Sequence, residues 1–448
     1  MDIHIKIPDN AKELLDTLQK GGHKAYVVGG CVRDSILGRV PNDWDICTSA
    51  LPEEVIKIFS HKRVIETGLE HGTVTVLCDK EPFEITTFRV DGNYTDSRRP
   101  DSVSFTSSIE QDLLRRDFTV NAMAYNDTDG LVDPYGGEED LKNKTIRCVG
   151  CAKTRFEEDA LRILRAIRFG CQLEFDIEGE TANQIHLQKD SLKKISAERI
   201  RVELCKMLVC PTFYQKLVQY SDVLGVFIPE LCKMVGFEQN NPHHIYDVFM
   251  HTVHALKNCP SYETETRLAV LLHDMGKPPC YSVDEKGTGH FYNHAKISHE
   301  ISKKVLTDLK FDNNTLKNVT ELVLYHDAPI EATPKSVKKW LGRLGEHQLR
   351  RLIDVKESDN RAQAPQFMEE RVRKLSEIRQ HIDEIIAENE CFSLKDLAVN
   401  GNDLIECGFK AGKQIGTILS ELLDNVISEN VPNEKHSLLT LAKELFPQ

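Results

Sequence analysis

Residues Gly29 to Asp45 read GGCVRDSILGRVPNDWD, and the reading of this stretch decides the fold. Tyr26-Val27-Val28 just before it is an apolar run of buried-strand type, and Val32 to Leu37 open a short amphipathic helix just after. The Gly29-Gly30 pair between them permits a tight bend and lets the backbone approach a ligand closely. Free N–H groups at the start of such a helix suit an anion, and Arg33 adds a planar fork matched to phosphate oxygens. Two aspartates then follow one residue apart. If residues 43–47 run extended, their period of two puts Asp43 and Asp45 on one face, where they can share divalent cations. The glycines alone would fit any strand-turn-helix, but with Arg33, Asp34, Gly38 and the D-x-D pair they describe a nucleotidyl-transfer site. Its carboxylates are hard ligands, and magnesium is the ion that keeps waters and phosphates as its remaining ligands.

Four further blocks follow in order: LRRDFTVNAMAY at Leu114 to Tyr125, VDPYGGEEDL at Val132 to Leu141, EEDALRILRAIRF at Glu157 to Phe169, and ISAERIRVEL at Ile195 to Leu204. Together with GG-x-VRD-x-x-L-G-R and D-x-D, this series resembles the bacterial, class II tRNA nucleotidyltransferase and poly(A) polymerase family of the DNA polymerase beta superfamily. The resemblance runs over the first half of the chain. It implies that Asp43 and Asp45 hold two Mg2+ ions, one lowering the pKa of the primer 3′-hydroxyl and the other bridging the triphosphate. It also makes Gly29, Gly30 and Arg33 nucleotide-binding, and Arg116, Asp117 and Asn121 holders of the ribose and of the base-selecting helix. For Asp117, a structural role in organising Arg116 is an equal reading.

Asp159, Arg162, Arg165 and Arg168 recur in steps of three, which on a helix keeps them on one surface. An isolated D-x-x-R is common on solvated helix faces. Cytosine and adenine, however, both present an amino donor beside a ring-nitrogen acceptor, whereas guanine and uracil present the reverse. Aspartate accepts and arginine donates, so the pair fits C and A. The resemblance assigns this templating role to Asp159 and Arg162, with Arg165 and Arg168 nearby on the nucleotide. Between the first two blocks, Thr87 to Phe105 is rich in turn residues and charge. The resemblance makes this loop, with Arg98, Arg99 and Pro100, the element that helps switch from C to A addition.

A second constellation comprises His251, His273-Asp274 with Lys277 following, His294, His326 and Asp359. The order H, HD, H, H, D resembles the HD phosphohydrolase superfamily. That resemblance implies a metal site of His251, His273, Asp274 and Asp359, with His294 and His326 for a second ion. Imidazole and carboxylate together suit Mn, Ni or Co, and magnesium less tightly. His299 competes with His294, and Asp327 with Asp359. The implied substrates are phosphomonoesters or 2′,3′-cyclic phosphates.

Composition sets outer bounds. The 448 residues carry a net charge of -13 and thirteen cysteines. The scattered cysteines, with no second pair to join Cys148-x-x-Cys151, read as reduced thiols. MDIHIKIPDNAKELL lacks the basic start and apolar core of a signal peptide, so the expected compartment is the cytosol. An acidic total argues against non-specific nucleic-acid binding and leaves recognition to shape and a few basic clusters: Lys193-Lys194 with Arg199 and Arg201, Lys335 to Arg343, and Arg371 to Lys374. Each is more often a solvated helix face than a phosphate grip.

Periodicity changes from short β-rich runs to helical spacing near residue 150. The expected architecture is an α/β nucleotidyltransferase head at 1–150, a helical neck and body at 151–238, an HD-type helical domain at 239–365 and a helical tail contacting tRNA at 366–448. The expected activity is addition of C, C and A to tRNA from CTP and ATP, with no membrane association and an oligomeric state left open. The alternatives are an A-adding or CC-adding enzyme, a poly(A) polymerase, or an HD phosphohydrolase with an RNA-binding head.

Overall fold

A computed structural model describes residues 3–92 and 102–447. Arg98, Arg99 and Pro100, the residues singled out in the loop, lie outside the described residues. The chain forms two compact units, Met1–Pro229 and Glu230–Gln448.

Up to residue 132, the described residues of the first unit form nine strands: β1 Ala25–Val28, β2 Ile46–Thr48, β3 Arg63–Gly68, β4 Thr73–Cys78, β5 Glu81–Thr87, β6 Arg89–Asp91, β7 Val103–Phe105, β8 Ala124–Asn126 and β9 Gly130–Val132. Seven form one mixed sheet in the order β3-β4-β5-β2-β1-β8-β9, and β6 and β7 pair separately. Within the large sheet β2 and β5 are parallel and every other neighbouring pair is antiparallel. The central strand β1, AYVV, is buried at all four positions, which is why it reads as a continuous apolar run. β4 lies nearer the edge and alternates, with Val74, Val76 and Cys78 turned inward. Val27 pairs with Ile46, and the Val28 N–H donates to the Asp45 carbonyl at 3.0 Å. This register carries the glycine turn to the side of the D-x-D pair.

Beyond Ile146 the first unit is helical apart from the two-residue ladder of Thr145–Ile146 with Asp176–Ile177. The helix Leu161–Leu173 buries Ile163, Leu164, Ala166 and Ile167 and packs against Ala197–Leu208. Phe169 meets Phe118 edge-on at 5.7 Å, tying this helix to the second sequence block; such a pair adds about 0.5–1.5 kcal/mol beyond its area.

In the second unit, the helices Val248–Lys257, Thr264–Leu272, Asn313–Tyr325 and Glu346–Arg361 pack together, with His294–Asp308 against Asn313–Tyr325. Leu268 to Leu272 are all buried, so the histidine and aspartate that follow are delivered into the interior. A separate apolar cluster around Leu404, Ile418, Leu422 and Leu438 holds the C-terminal helices. Among the described residues no helix is long and apolar enough to cross a membrane.

Candidate active site

The strand assigned as β2 starts at Ile46, so Asp43 and Asp45 lie on the segment leading into it rather than within an extended 43–47 strand. Asp45 still joins the ladder through its carbonyl. Both side chains are open to solvent, yet the protein packed around Asp45, followed by the Asp43 charge, pushes its carboxyl up to about 6, against the pull of Arg116. Like charges set side by side call for a cation. Their oxygen ligands fit a hard divalent ion, and neither carboxylate is closed off by a salt bridge among the described residues.

Gly29 adopts φ +82°, ψ −123°, a conformation that only glycine adopts at low cost, and a Cβ there would lie 2.9 Å from Nη1 of Arg116. The bend therefore seats Arg116 directly on the turn. Arg33 differs from its expected role as an open phosphate fork. Its Nε and Nη2 donate to Asp34 at 2.8 and 2.9 Å, and its Nη1 donates to the Asn121 side-chain oxygen Oδ1 at 2.6 Å. The fork is satisfied by the adjacent carboxylate because the two side chains leave the same helix turn. The Asn121 amide then donates to Asp117 at 3.3 Å, and Arg165 grips Asp117 through Nε and Nη2 at 2.8 and 2.6 Å. Burial alone would raise the Asp117 pKa, but Arg165 and Arg162 outweigh it and hold the carboxyl at about 2. Asp117 thus organises Arg165 rather than Arg116, whose nearest acid is Asp112 at 3.7 Å.

The selection residues do not share one uninterrupted helix. Helix Ala152–Glu158 ends at Asp159, whose extended backbone (φ −141°, ψ 103°) separates it from Leu161–Leu173. The reason is local: the Asp159 side chain accepts the Leu161 N–H at 3.0 Å and begins the next helix. Arg162, Arg165 and Arg168 lie within that helix, and each has an acid. Arg162 Nη1 meets Glu158 at 2.6 Å, Arg165 meets Asp117, and Arg168 Nε meets Glu203 at 2.5 Å. Asp159 itself is bound by Arg199 at 2.8 Å. The guanidinium groups of Arg33, Arg165 and Arg168 stand 5.3, 5.4 and 4.1 Å from the Phe169 ring centre. Phe169, Arg168, Arg33, Gly30 and Asp43 line a common cleft of about 630 Å³. The cleft brings Asp43, a basic wall and an aromatic ring together.

Glu158, Glu203, Phe169 and the clamping role of Arg199 escaped the sequence reading. Glu158–Arg162 and Arg199–Glu203 at i,i+4 were the available signals; Phe169 has none that separates it from a core residue. The third block is structural here, since Asp133 caps the Gly137 and Glu138 N–H groups at 2.7 and 2.8 Å, and Asp140 receives Thr119 and Arg147.

In the second unit the six selected residues do converge. His251 Nε2 lies 2.8 Å from Asp359 Oδ1 and 3.4 Å from Asp274 Oδ2; His273 Nε2 lies 3.2 Å from Asp274 Oδ2. On the other side, Nε2 of His294 and of His326 each lie 3.7 Å from Asp274 Oδ1. Nδ1 of His251, His273, His294 and His326 contacts the carbonyl of Ala362, Val270, Phe291 and Val323 respectively, at 2.7–3.3 Å. A carbonyl only accepts, so each Nδ1 carries a proton and each Nε2 is the ring nitrogen turned toward Asp274 and Asp359, where it could ligate a cation. Asp274 Oδ2 also faces Lys277 Nζ at 2.8 Å, while Asp274 Oδ1 is buried with no hydrogen-bond partner among the described residues, which suits a cation site. Burial would depress the His273 pKa, yet Asp274 and Asp359 drive it up to about 10, while burial and His273 push His326 down to about 3. His299 turns its Nδ1 to the Thr320 carbonyl instead, and Asp359, not Asp327, makes the short contact with His251. A cavity of about 300 Å³ opens onto Asp274, Lys277, His294, His326 and Asp359.

The head and its carboxylate pair define a nucleotidyltransferase: residues 25–147 match the poly A polymerase head domain, 174–234 the probable RNA and SrmB-binding site of polymerase A, and 289–442 the putative tRNA nucleotidyltransferase domain 2. The chain is 34% identical over 446 residues to the CCA-adding enzyme of Ligilactobacillus salivarius, covering 99% of this chain and 98% of that one. With the CCA-adding enzyme of Enterococcus faecalis it shares 33% identity, over 98% of this chain and 97% of the other. The chain belongs to the CCA-adding enzyme family. Its structure resembles that of the Bacillus stearothermophilus CCA-adding enzyme in complex with CTP, with a TM-score of 0.73, 29% identity, and coverage of 97% and 96% of the two chains. The fold is also that of the Thermotoga maritima CCA-adding enzyme complexed with tRNA, at a TM-score of 0.62 and 21% identity, covering 99% of this chain and 97% of that one.

Proposed function

We propose that this chain adds C, C and A to the 3′ end of tRNA, taking the nucleotides from CTP and ATP. The observation that carries the reading is Asp43, two residues from Asp45, lining a cleft that Arg33, Arg168 and Phe169 also line. Divalent ions held by Asp43 and Asp45, Mg2+ by preference, would acidify the primer hydroxyl and offset the charge of the triphosphate. Arg116, seated on the Gly29 turn, places positive charge beside Asp45. Asp117 and Asn121 hold Arg165 and Arg33 in place, and Asp159 with Arg162 selects bases that pair an amino donor with a ring acceptor. The four segments 1–150, 151–238, 239–365 and 366–448 are read as catalytic head, selecting neck, metal-bearing domain and tRNA-contacting tail. Thirteen free cysteines agree with a cytosolic setting.

The test supplies tRNA ending at the discriminator base with labelled CTP, ATP, both or neither, and resolves product lengths on a gel. Addition of three nucleotides, ending in A only when both triphosphates are present, is expected. Addition of A alone, of CC alone, or unlimited extension by ATP would point to the A-adding, CC-adding and poly(A) alternatives.

The convergence of His251, His273, Asp274, His294, His326 and Asp359 favours a second activity, metal-dependent hydrolysis of phosphomonoesters or cyclic phosphates. The mixed nitrogen and oxygen donors suit Mn, Ni or Co. Metal-loaded protein assayed on 2′,3′-cyclic nucleotides tests it; no hydrolysis under any of these ions would sink it.

A further inference from the structure

Every charged side chain of the base-selecting segment has its own counter-ion, and two of these come from a single helix. Arg199 Nη2 holds Asp159 at 2.8 Å at one end of the segment, and Glu203 holds Arg168 at 2.5 Å at the other. Arg199 and Glu203 stand four residues apart on helix Ala197–Leu208, so they project from one face as a paired clamp.

Asp159 needs that clamp more than its neighbours do. Its backbone is extended between two helices, so no helix of its own fixes its side chain. One carboxylate oxygen accepts the Leu161 N–H at 3.0 Å, and the other takes Arg199. Each oxygen keeps a further lone pair for an incoming amino group. Arg199 Nη1 is buried and has no hydrogen-bond partner among the described residues, which leaves a donor next to the reading carboxylate. Arg162, by contrast, commits Nη1 to Glu158 and the Arg155 carbonyl, and Nη2 to the Arg115 carbonyl.

We propose that Arg199 is a positioning residue for base choice, acting through Asp159. Uracil and guanine present an acceptor where cytosine and adenine present an amino donor. A carboxylate held in place repels that acceptor, whereas one free to rotate swings away and tolerates it. Selectivity therefore depends on the rigidity of Asp159, and Arg199 supplies it. This inference rests on the nucleotidyl-transfer reading above.

The experiment measures kcat and KM for CTP, ATP and UTP on tRNA ending at the discriminator base, with wild type, Arg199→Met and Arg199→Lys. Arg199→Met should raise the UTP-to-CTP ratio of kcat/KM about tenfold, the scale of one lost discriminating contact. Arg199→Lys, which keeps the charge and loses the fork, should fall between the two. An Arg199→Met enzyme that is slower to the same degree with all three triphosphates would overturn the proposal, because a purely structural arginine lowers every rate alike. Should Arg199→Met fail to melt cooperatively, Arg199→Lys decides, and a wild-type ratio there is the overturning result. Failure of the wild type itself to extend the tRNA would instead reject the nucleotidyl-transfer reading.

Discussion

Arg33 and Asn121 are joined by a 2.6 Å hydrogen bond across 88 residues of sequence. Through it the glycine turn, the second block and the selecting helix become one network, Asp34–Arg33–Asn121–Asp117–Arg165. A side-chain amide is well suited to the middle of such a chain, since its oxygen accepts from a cation and its nitrogen donates to an anion. Neither a carboxylate nor an ammonium could serve both neighbours.

Asn121→Ala should therefore loosen both arginines without touching the metal carboxylates. The expected loss is about 1–3 kcal/mol of stability, because Arg33 Nη1 and Asp117 Oδ1 each lose a partner in a part-buried setting. kcat/KM should fall for CTP and ATP alike. Chemical denaturation and steady-state kinetics check this, and an unchanged midpoint would mean that the bridge carries no weight.

Asp117 gives the network a pH signature. Its carboxyl is held at about 2 against an ordinary 3.8, so the stabilisation is fully present above the unfolded value and is lost as pH falls through the folded one. A shift of this size corresponds to about 2–3 kcal/mol. Asp117→Asn should lose that much at pH 7 and show a flatter stability profile between about pH 4 and pH 2. Wild-type and variant curves that run parallel through this window would contradict the assignment.

The sequence made some of this legible and left some out for physical reasons. β1 and the glycine turn could be read because a fully buried strand and a positive-φ bend each demand particular residues. The second cluster could be read because histidine and aspartate after an apolar run have few other uses. The break at Asp159 was missed because the D-x-x-R spacing matches a helix, while the side chain that restarts the helix leaves that spacing intact. The satisfied fork of Arg33 was equally hidden: Asp34 beside it is as compatible with a solvated helix turn as with a bidentate pair. Periodicity reports which face is buried, but the pairing of charges across elements depends on tertiary contacts.

The imidazole and carboxylate cluster should bind metal with release of protons. Asp274 and Asp359 raise the His273 pKa to about 10, so protons and a cation would compete for the same imidazole. Binding of Mn2+ to chelator-treated protein should raise Tm and weaken as pH falls, because protons compete for the same groups. Asp274→Asn, which removes the carboxylate lying between the two histidine pairs, should abolish the Tm rise. Titration calorimetry in two buffers of different ionisation heat reads the proton count, and a buffer-independent heat would refute displacement.

The two sites should be separable by mutation. Asp43 belongs to the first compact unit, whereas His251, His273, Asp274 and Asp359 all belong to the second, and each site has its own charged groups and its own proposed cation. Asp43→Ala removes one of two carboxylates that hold the proposed ions, so nucleotide addition should fall by at least about three orders of magnitude, the usual scale for losing a metal-assisted step. Its exposed side chain makes little contribution to packing, so Tm should stay within about a degree of wild type. Hydrolysis of 2′,3′-cyclic nucleotides by the same variant should be unchanged, and His273→Ala should give the mirror result. Parallel loss of both activities in Asp43→Ala, with the protein still folded, would mean that one metal centre serves both reactions.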